Sequence, residues 1–196
     1  MENSKEATYL KSCGIATKWL SEKVSLNTYA GQDKECLAEV EKYLNNYTTY
    51  KEQGRGLYLY GTPGSGKTYL AMCVAKHIAL HTKDKLAVID YKDMLNAFMD
   101  GWQNYEVRVA MYANLRRVSV LVIDRFTEPT GNGGKVAEDA FGSLLNYRVQ
   151  ANKITIVSST VKPSEIKTKF TAELSSLMKE AMKSVRVNNP DFRDSL

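Results

Sequence analysis

The densest chemistry in the chain lies in eight consecutive residues, Gly61 to Thr68, which read Gly-Thr-Pro-Gly-Ser-Gly-Lys-Thr. They match the phosphate-binding loop pattern at each of its fixed positions. A nucleoside triphosphate is a cluster of anionic oxygens, best met by backbone N–H donors with no bulky side chains in the way. Gly61, Gly64 and Gly66 permit the tight turn that points those donors inward. Lys67 is spaced to reach the β- and γ-phosphates, and the Thr68 hydroxyl to meet Mg²⁺. Thr62, Pro63, Ser65 and Tyr69 complete the stretch expected to contact nucleotide. A glycine-rich turn with a chance Gly-Lys-Thr is the plain alternative, but an apolar run, Gly56 to Tyr60, precedes the loop and a helical pattern, Tyr69 to Ala79, follows it. Strand, loop and helix in that order place the positive end of a helix dipole at the same site.

Asp124 closes the most hydrophobic run in the chain, Val118 to Asp124. A carboxylate there stands at the C-terminal edge of a sheet and can hold Mg²⁺ through water, whereas the plain reading is an Asp that caps a strand. Ser158, Ser159 and Thr160 end the next apolar run, Ile154 to Ser159. A hydroxyl in that position, Thr160 in particular, can touch a γ-phosphate or the attacking water; a turn rich in small polar residues is the alternative.

These residues need a scaffold, and the chain has the length for one. Its 196 residues suffice for one buried core with a short appendage, not two full domains. A hydrophobic share of 43% with 25% charged residues fits a soluble globular protein. No apolar run has membrane-spanning length and Met1 to Ser12 is too polar for a signal peptide, so the expected location is the cytoplasm, with no membrane partner. Cys13, Cys36 and Cys73 are odd in number and far apart, which reads as reduced thiols. His77 and His81, four apart on a helix, lack an evident third metal ligand and read as surface histidines. The net charge of +5 is compatible with nucleic acid but adds little alone.

Periodicity predicts a polar, frayed start at Met1 to Ser12, a helix from Lys34 to Tyr50, and strands at Gly56 to Tyr60, Leu86 to Tyr91, Val118 to Asp124 and Ile154 to Ser159. Helices are predicted at Lys92 to Met99, Trp102 to Leu115, Val136 to Val149 and Pro163 to Lys183, the last with a break near Thr171. Val185 to Val187 could add a strand before a polar tail. The Leu86 strand lies between the loop strand and the Asp124 strand in sequence, compatible with a sheet in which another strand separates those two. Strands alternating with helices make a single α/β domain with a mostly parallel sheet.

The stretches Gly14-Ile15, Leu57 to Gly61, Leu121-Val122-Ile123-Asp124, Leu144-Leu145-Asn146-Tyr147-Arg148 and Ile154 to Ser159 together resemble the AAA+ ATPase domain of the bacterial replicative helicase loaders, the DnaC and DnaI family with its phage-encoded and IstB-like relatives. The resemblance implies a P-loop NTPase fold, a three-layer sandwich with a five-stranded sheet: residues 1–33 would be an N-terminal extension and 34–196 an ATP-binding domain without a full C-terminal lid. It further implies ATP and Mg²⁺ as cofactors, DNA replication as the setting, self-association or association with other AAA+ subunits, and a replicative hexameric DNA helicase and single-stranded DNA as partners. Loading or remodelling that helicase is the expected function. A nucleotide-gated adaptor or inhibitor that does not hydrolyse ATP is the alternative, as is an IstB-like transposition helper.

The departures from the family pattern are specific. Arg125 stands where the family usually has a second acidic residue after Asp124, so hydrolysis is expected to be weak or partner-stimulated, with Glu128, Glu138 or Asp139 as possible substitutes. The family's late Ser-Arg pair corresponds to Ser175-Ser176, leaving Lys179, Lys183 or Arg186 to supply a trans-acting charge that a lysine does not deliver as an arginine does. Only a short polar lead stands where cellular loaders carry a helicase-docking domain. Trp102, Tyr105, Arg108, Tyr112, Arg116 and Arg117 interleave aromatic and basic residues as single-strand binders do, although packing of the same aromatics on the sheet accounts for the spacing equally. Lys135, at the end of the glycine-rich stretch Thr130 to Lys135, is a further DNA-binding candidate.

Overall fold

The computed structural model describes residues 2–99, 105–128 and 134–192. Five strands, β1 (Gly56–Tyr60), β2 (Leu86–Asp90), β3 (Val120–Phe126), β4 (Ile154–Ser159) and β5 (Met182–Arg186), form one all-parallel sheet in the order β2-β3-β4-β1-β5. Parallel sheets need cover on both faces, and the alternation of side chains along each strand supplies two apolar surfaces. Val120 and Val122 of β3 and Ile154 and Ile156 of β4 face one cluster, with Val40 of α2 (Lys34–Asn45) and Leu70, Val74 and Ile78 of α4 (Lys67–His81). Leu121, Ile123 and Val157 face the other, with Met94 of α5 (Tyr91–Met99), Phe141 and Leu144 of α7 (Gly134–Gln150), and Leu174 and Met178 of α9 (Ala172–Ala181). The result is the expected three-layer sandwich. Among the described residues no helix is long and apolar enough to cross a membrane.

The strand between β1 and β3 is β4, not the Leu86 strand that intervenes in sequence. Burial explains it: β4 is buried along its whole length, whereas the last three residues of β2 are half-exposed, as suits an edge. This order brings the Ser158 end of β4 directly beside Asp124.

Several local expectations are corrected. Glu2–Ser12 is a helix, α1, not a frayed lead, because Leu10, Cys13 and Ile15 are buried in the core it shares with α4. The Cys13 carbonyl accepts from the Val88 amide at 2.7 Å, tying this segment to the edge strand. The helix read through Tyr50 breaks at Asn46, whose side-chain amide donates to the Lys42 carbonyl at 2.8 Å and competes with the backbone ladder; α3 (Tyr47–Glu52) follows. Tyr43 and Tyr47 of these two helices are buried core residues. The break near Thr171 is present: α8 (Pro163–Lys169) ends, and the Thr171 hydroxyl caps α9 by accepting from the Leu174 amide at 3.3 Å. The last strand begins at Met182, earlier than expected, because Met182 pairs in register with Gly56. Helix α7 begins at Gly134, so Lys135 lies within a helix. The glycine-rich residues 130–133 and Trp102 lie outside the described residues.

Candidate nucleotide-binding site

The loop leaves the C-terminal end of β1 and runs straight into α4. Gly64 and Gly66 have φ of 72° and 94°, left-handed values that only glycine adopts freely, so the loop can curl without side chains inside it. Lys67 is buried, its ammonium donating to the Thr62 carbonyl and to the Ser65 hydroxyl at 3.4 Å. The Thr68 hydroxyl donates to Asp124 Oδ1 at 2.9 Å, and the Ser158 hydroxyl donates to the same oxygen. Loop, β3 and β4 thus converge on one carboxylate. Among the described residues no cluster of three or more His, Cys, Asp or Glu could hold a metal; the Thr68 hydroxyl and the Asp124 carboxylate are hard oxygen donors of the kind a divalent cation takes beside phosphates.

The β3–β4 register shifts between Ile123 and Phe126, and Arg125 within that bulge has φ 59°. The bulge aims Asp124 at the loop and sends Arg125 sideways, where its Nε donates to Asp90 Oδ2. Asp90 ends β2 in register with Asp124 and also caps α5, its Oδ1 accepting from the amides of Lys92 and Asp93 at 2.9 and 3.3 Å. The hydrogen bond to Asp90, with the charges of Asp90, Asp124 and Asp93, holds the Arg125 guanidinium above its ordinary pKa.

A cavity of about 890 Å³ extends from these groups to an aromatic end made by Trp19, Tyr29, Tyr69 and Phe192. Tyr69 meets Trp19 edge-on at 6.1 Å between centroids and Tyr29 at 5.7 Å. Its hydroxyl donates to the Ser25 carbonyl at 3.1 Å, and the Lys76 ammonium donates to the Ser21 and Val24 carbonyls, each at 2.8 Å, so α4 holds the segment that carries Trp19 and Tyr29. The volume and flat aromatic walls suit a nucleotide base beyond the phosphates.

The polar tail also belongs to the site. Asn189 is buried and its amide donates to the Ser65 carbonyl at 3.1 Å and to the Tyr29 hydroxyl, while its Oδ1 accepts from the Asp33 amide at 2.9 Å. Asp33 in turn accepts from the amides of Asn188 at 2.7 Å and Cys36 at 3.1 Å, the latter capping α2. The Phe192 amide donates to the Gly64 carbonyl at 3.2 Å, and a Cβ at Gly64 would run into the Asp191 carboxylate.

Other expected residues are dispersed. Thr160 is exposed, and the Ser159 hydroxyl is used by the Phe126 carbonyl and the Val161 amide, so Ser158 is the one hydroxyl of the three bonded to Asp124. None of the three substitute acids lines the cavity: Glu128 pairs with Lys169 at 3.1 Å, Glu138 accepts from the Thr171 amide, and Asp139 is exposed. Asp90 and Asp93 stand there instead. Lys183 pairs with Glu39, Arg186 donates to Asn188 Oδ1 at 3.2 Å, and Lys179 is exposed. The Arg116 guanidinium lies 3.7 Å from the Tyr147 ring centroid and 5.4 Å from that of Tyr112; Arg117 and Lys135 are exposed, and the Arg108 side chain lies outside the described residues. His77 and His81 stack on each other, and the three cysteines are free and buried. Sequence reasoning missed Asp90, Trp19, Tyr29 and Asn189 as site residues. Asp90 alone carried a signal, since it closes an apolar run as Asp124 does.

The family model of the bacterial DnaA ATPase domain matches residues 28–184, a span that contains the loop, Asp124 and Ser158. The chain belongs to that family. Among curated proteins it is similar to the replicative helicase loader DnaI of Bacillus subtilis (strain 168), 28% identical over 146 residues, which cover 71% of this chain and 44% of DnaI. The chain therefore spans less than half the length of that relative. Among solved structures, that of the DnaC helicase loader superposes with a TM-score of 0.75 at 19% identity, over 88% of this chain and all of the other. The replication initiator DnaA bound to AMPPCP and single-stranded DNA superposes with a TM-score of 0.70 at 16% identity, over 87% of this chain and 51% of the other. The resemblance to the helicase-loader ATPases drawn from sequence is borne out, and with it the AAA+ fold of the bacterial DnaA ATPase family.

Proposed function

We propose that this chain is an ATP- and Mg²⁺-binding AAA+ protein of DNA replication, cytoplasmic, that loads or remodels a replicative hexameric helicase on single-stranded DNA and works with like or related subunits. The observation that carries the reading is the meeting of Thr68, Asp124 and Ser158 beside the glycine-built loop. The relatives named as helicase loaders, and a DnaA captured with AMPPCP and single-stranded DNA, support the partners and the cofactor.

In this reading Thr68 and Asp124 would hold Mg²⁺, which would supply charge neutralisation to the phosphates. Lys67 exchanges its contacts with Thr62 and Ser65 for the phosphates, and the Trp19, Tyr29 and Tyr69 rings hold the base. Ser158, bonded to Asp124 and accepting from the Arg125 amide at 3.0 Å, reports a change at the phosphates to β3 and β4. The test is retention of a hexameric helicase on circular single-stranded DNA. ATP-dependent loading that disappears with Lys67→Ala is expected, and loading indifferent to ATP and to the substitution contradicts the reading.

One observation favours a second reading, a nucleotide-gated adaptor without turnover: the residue after Asp124 is an arginine held by Asp90, not a carboxylate aimed at water. Phosphate release measured with single-stranded DNA and helicase present separates the two. Robust release abolished by Asp124→Asn would sink the adaptor.

A further inference from the structure

The formal charge of +5 is not spread over the molecule. The four segments that enter β1, β2, β3 and β4, residues 51–55, 82–85, 114–119 and 150–153, contain seven of the 27 cationic residues and two of the 22 acidic ones; the remainder holds 20 of each. The whole surplus therefore sits along one edge of the sheet, the strand-entry edge, opposite the nucleotide cavity. In spatial order Lys85 precedes β2, Arg117 leads into β3, Lys153 precedes β4 and Arg55 precedes β1. With strands about 4.8 Å apart, this row is roughly 14 Å long. It is continuous: the Lys85 carbonyl accepts from Val120, the Ser119 carbonyl from Ile154, and Gly54 packs against Asn152.

Little on this edge answers the charge. Of the two acids in these four segments, Asp84 is buried and bonded to Lys51 at 2.7 Å and the Tyr47 hydroxyl at 2.8 Å, leaving Glu52 exposed, and the entry of β5 adds Glu180 balanced by Lys179. Among the described residues no carboxylate pairs with Lys85, Arg117, Lys153 or Arg55. Beneath the row lies Arg148, 0% exposed, held by the carbonyls of Leu115, Val118, Ser119 and Ile154 and by the Thr155 hydroxyl, and not by an acid. Burial, then the Arg148 charge, pushes the Lys153 pKa down, as a site short of anions requires. Beside the row Tyr147, 38% exposed, carries the Arg116 guanidinium on its face at 3.7 Å.

We propose that this strand-entry edge, Lys85, Arg117, Lys153 and Arg55 with the Tyr147–Arg116 pair, is an interaction surface for single-stranded nucleic acid. A row of cations one strand apart matches a flexible polyanion, and the exposed ring with its stacked guanidinium is a platform for a base, which an acidic protein surface would not use. The proposal deepens the replication reading by naming where the strand lies.

The test is fluorescence anisotropy of a labelled oligothymidylate of about 20 nucleotides over a salt series, with the full chain. Arg55→Gln, Lys85→Gln, Arg117→Gln and Lys153→Gln are each expected to weaken binding about three- to tenfold and to flatten the dependence of log K on log salt by about 0.7. Tyr147→Leu is expected to weaken binding with the slope unchanged. Mg²⁺-ATP affinity should stay at the wild-type value in all five, while Lys67→Ala removes it and leaves the oligonucleotide slope intact, so the two readings fail separately. An unchanged slope in all four charge variants, tighter binding of a duplex of equal length, or displacement by polyglutamate as readily as by unlabelled oligonucleotide overturns the proposal.

Discussion

Arg125 concentrates the tension in the site. A non-glycine residue at φ 59° stores backbone strain, and the Asp90 ion pair and the bond from the Arg125 amide to Ser158 hold it there. Its placement makes a carboxylate at that position the direct experiment. Arg125→Glu exchanges the Asp90 ion pair for like-charge repulsion, which turns the new carboxylate from Asp90 toward the cavity, and is expected to raise ATP turnover about tenfold or more, because a general base contributes about 10²–10⁴. Turnover unchanged in a phosphate-release assay would show that the residue at position 125 does not limit hydrolysis. Arg148 acts on stability instead. Burial pushes its pKa down to about 9, still above neutrality, so the guanidinium stays charged and its donors tie the end of α6 (Tyr105–Arg117) and the entries of β3 and β4 together. Arg148→Met leaves those carbonyls without a donor and is expected to cost about 3–5 kcal/mol in urea unfolding.

Among the elements, Asp33 couples helix α2 to the phosphate loop through the segment 188–192. Burial alone would raise its carboxyl pKa, but bonds from the Asn188 and Cys36 amides, with the Cys36 thiol, outweigh it and hold the value below the ordinary one. A depressed folded pKa means stability that is fully present above the unfolded pKa and lost as pH falls through the folded one. Asp33→Asn should therefore flatten the acid limb of the stability profile below the ordinary carboxylate range, and Asp33→Ala should cost about 1 kcal/mol through the lost cap. An acid limb identical to wild type would show that the Asp33 carboxylate contributes nothing to it. The strands β1 and β4 were legible to the residue because apolar runs bounded by glycine, lysine or hydroxyls leave few alternatives. Helix α1 was not, since its buried contacts come from Leu10 and the following Cys13 and Ile15, and the periodicity of Glu2 to Ser12 is too weak to announce them. The break at Asn46 depends on one side-chain amide choosing a carbonyl, which periodicity does not register.

At the scale of the molecule, the parallel sheet divides the chemistry between its two edges: loop, Asp124 and Asp90 at the strand ends, cations at the strand entries. The sandwich could be read from alternation in the strands. The strand order could not, because β2 and β4 are both apolar runs and only packing decides which lies inside. The phosphate side of the site was legible since a loop and one acid suffice to define it. The aromatic end of the cavity was not, because Trp19, Tyr29 and Phe192 are brought together from distant segments. Lys67, Thr68 and Asp124 are proposed to hold a nucleoside triphosphate with Mg²⁺, and titration of the protein with a fluorescent ATP analogue in Mg²⁺ tests this most directly. Saturable binding that falls about a hundredfold or more in Lys67→Ala, as loss of a charged contact to phosphate implies, is the expected result. Near-normal affinity in Lys67→Ala would show that the loop does not hold the phosphates.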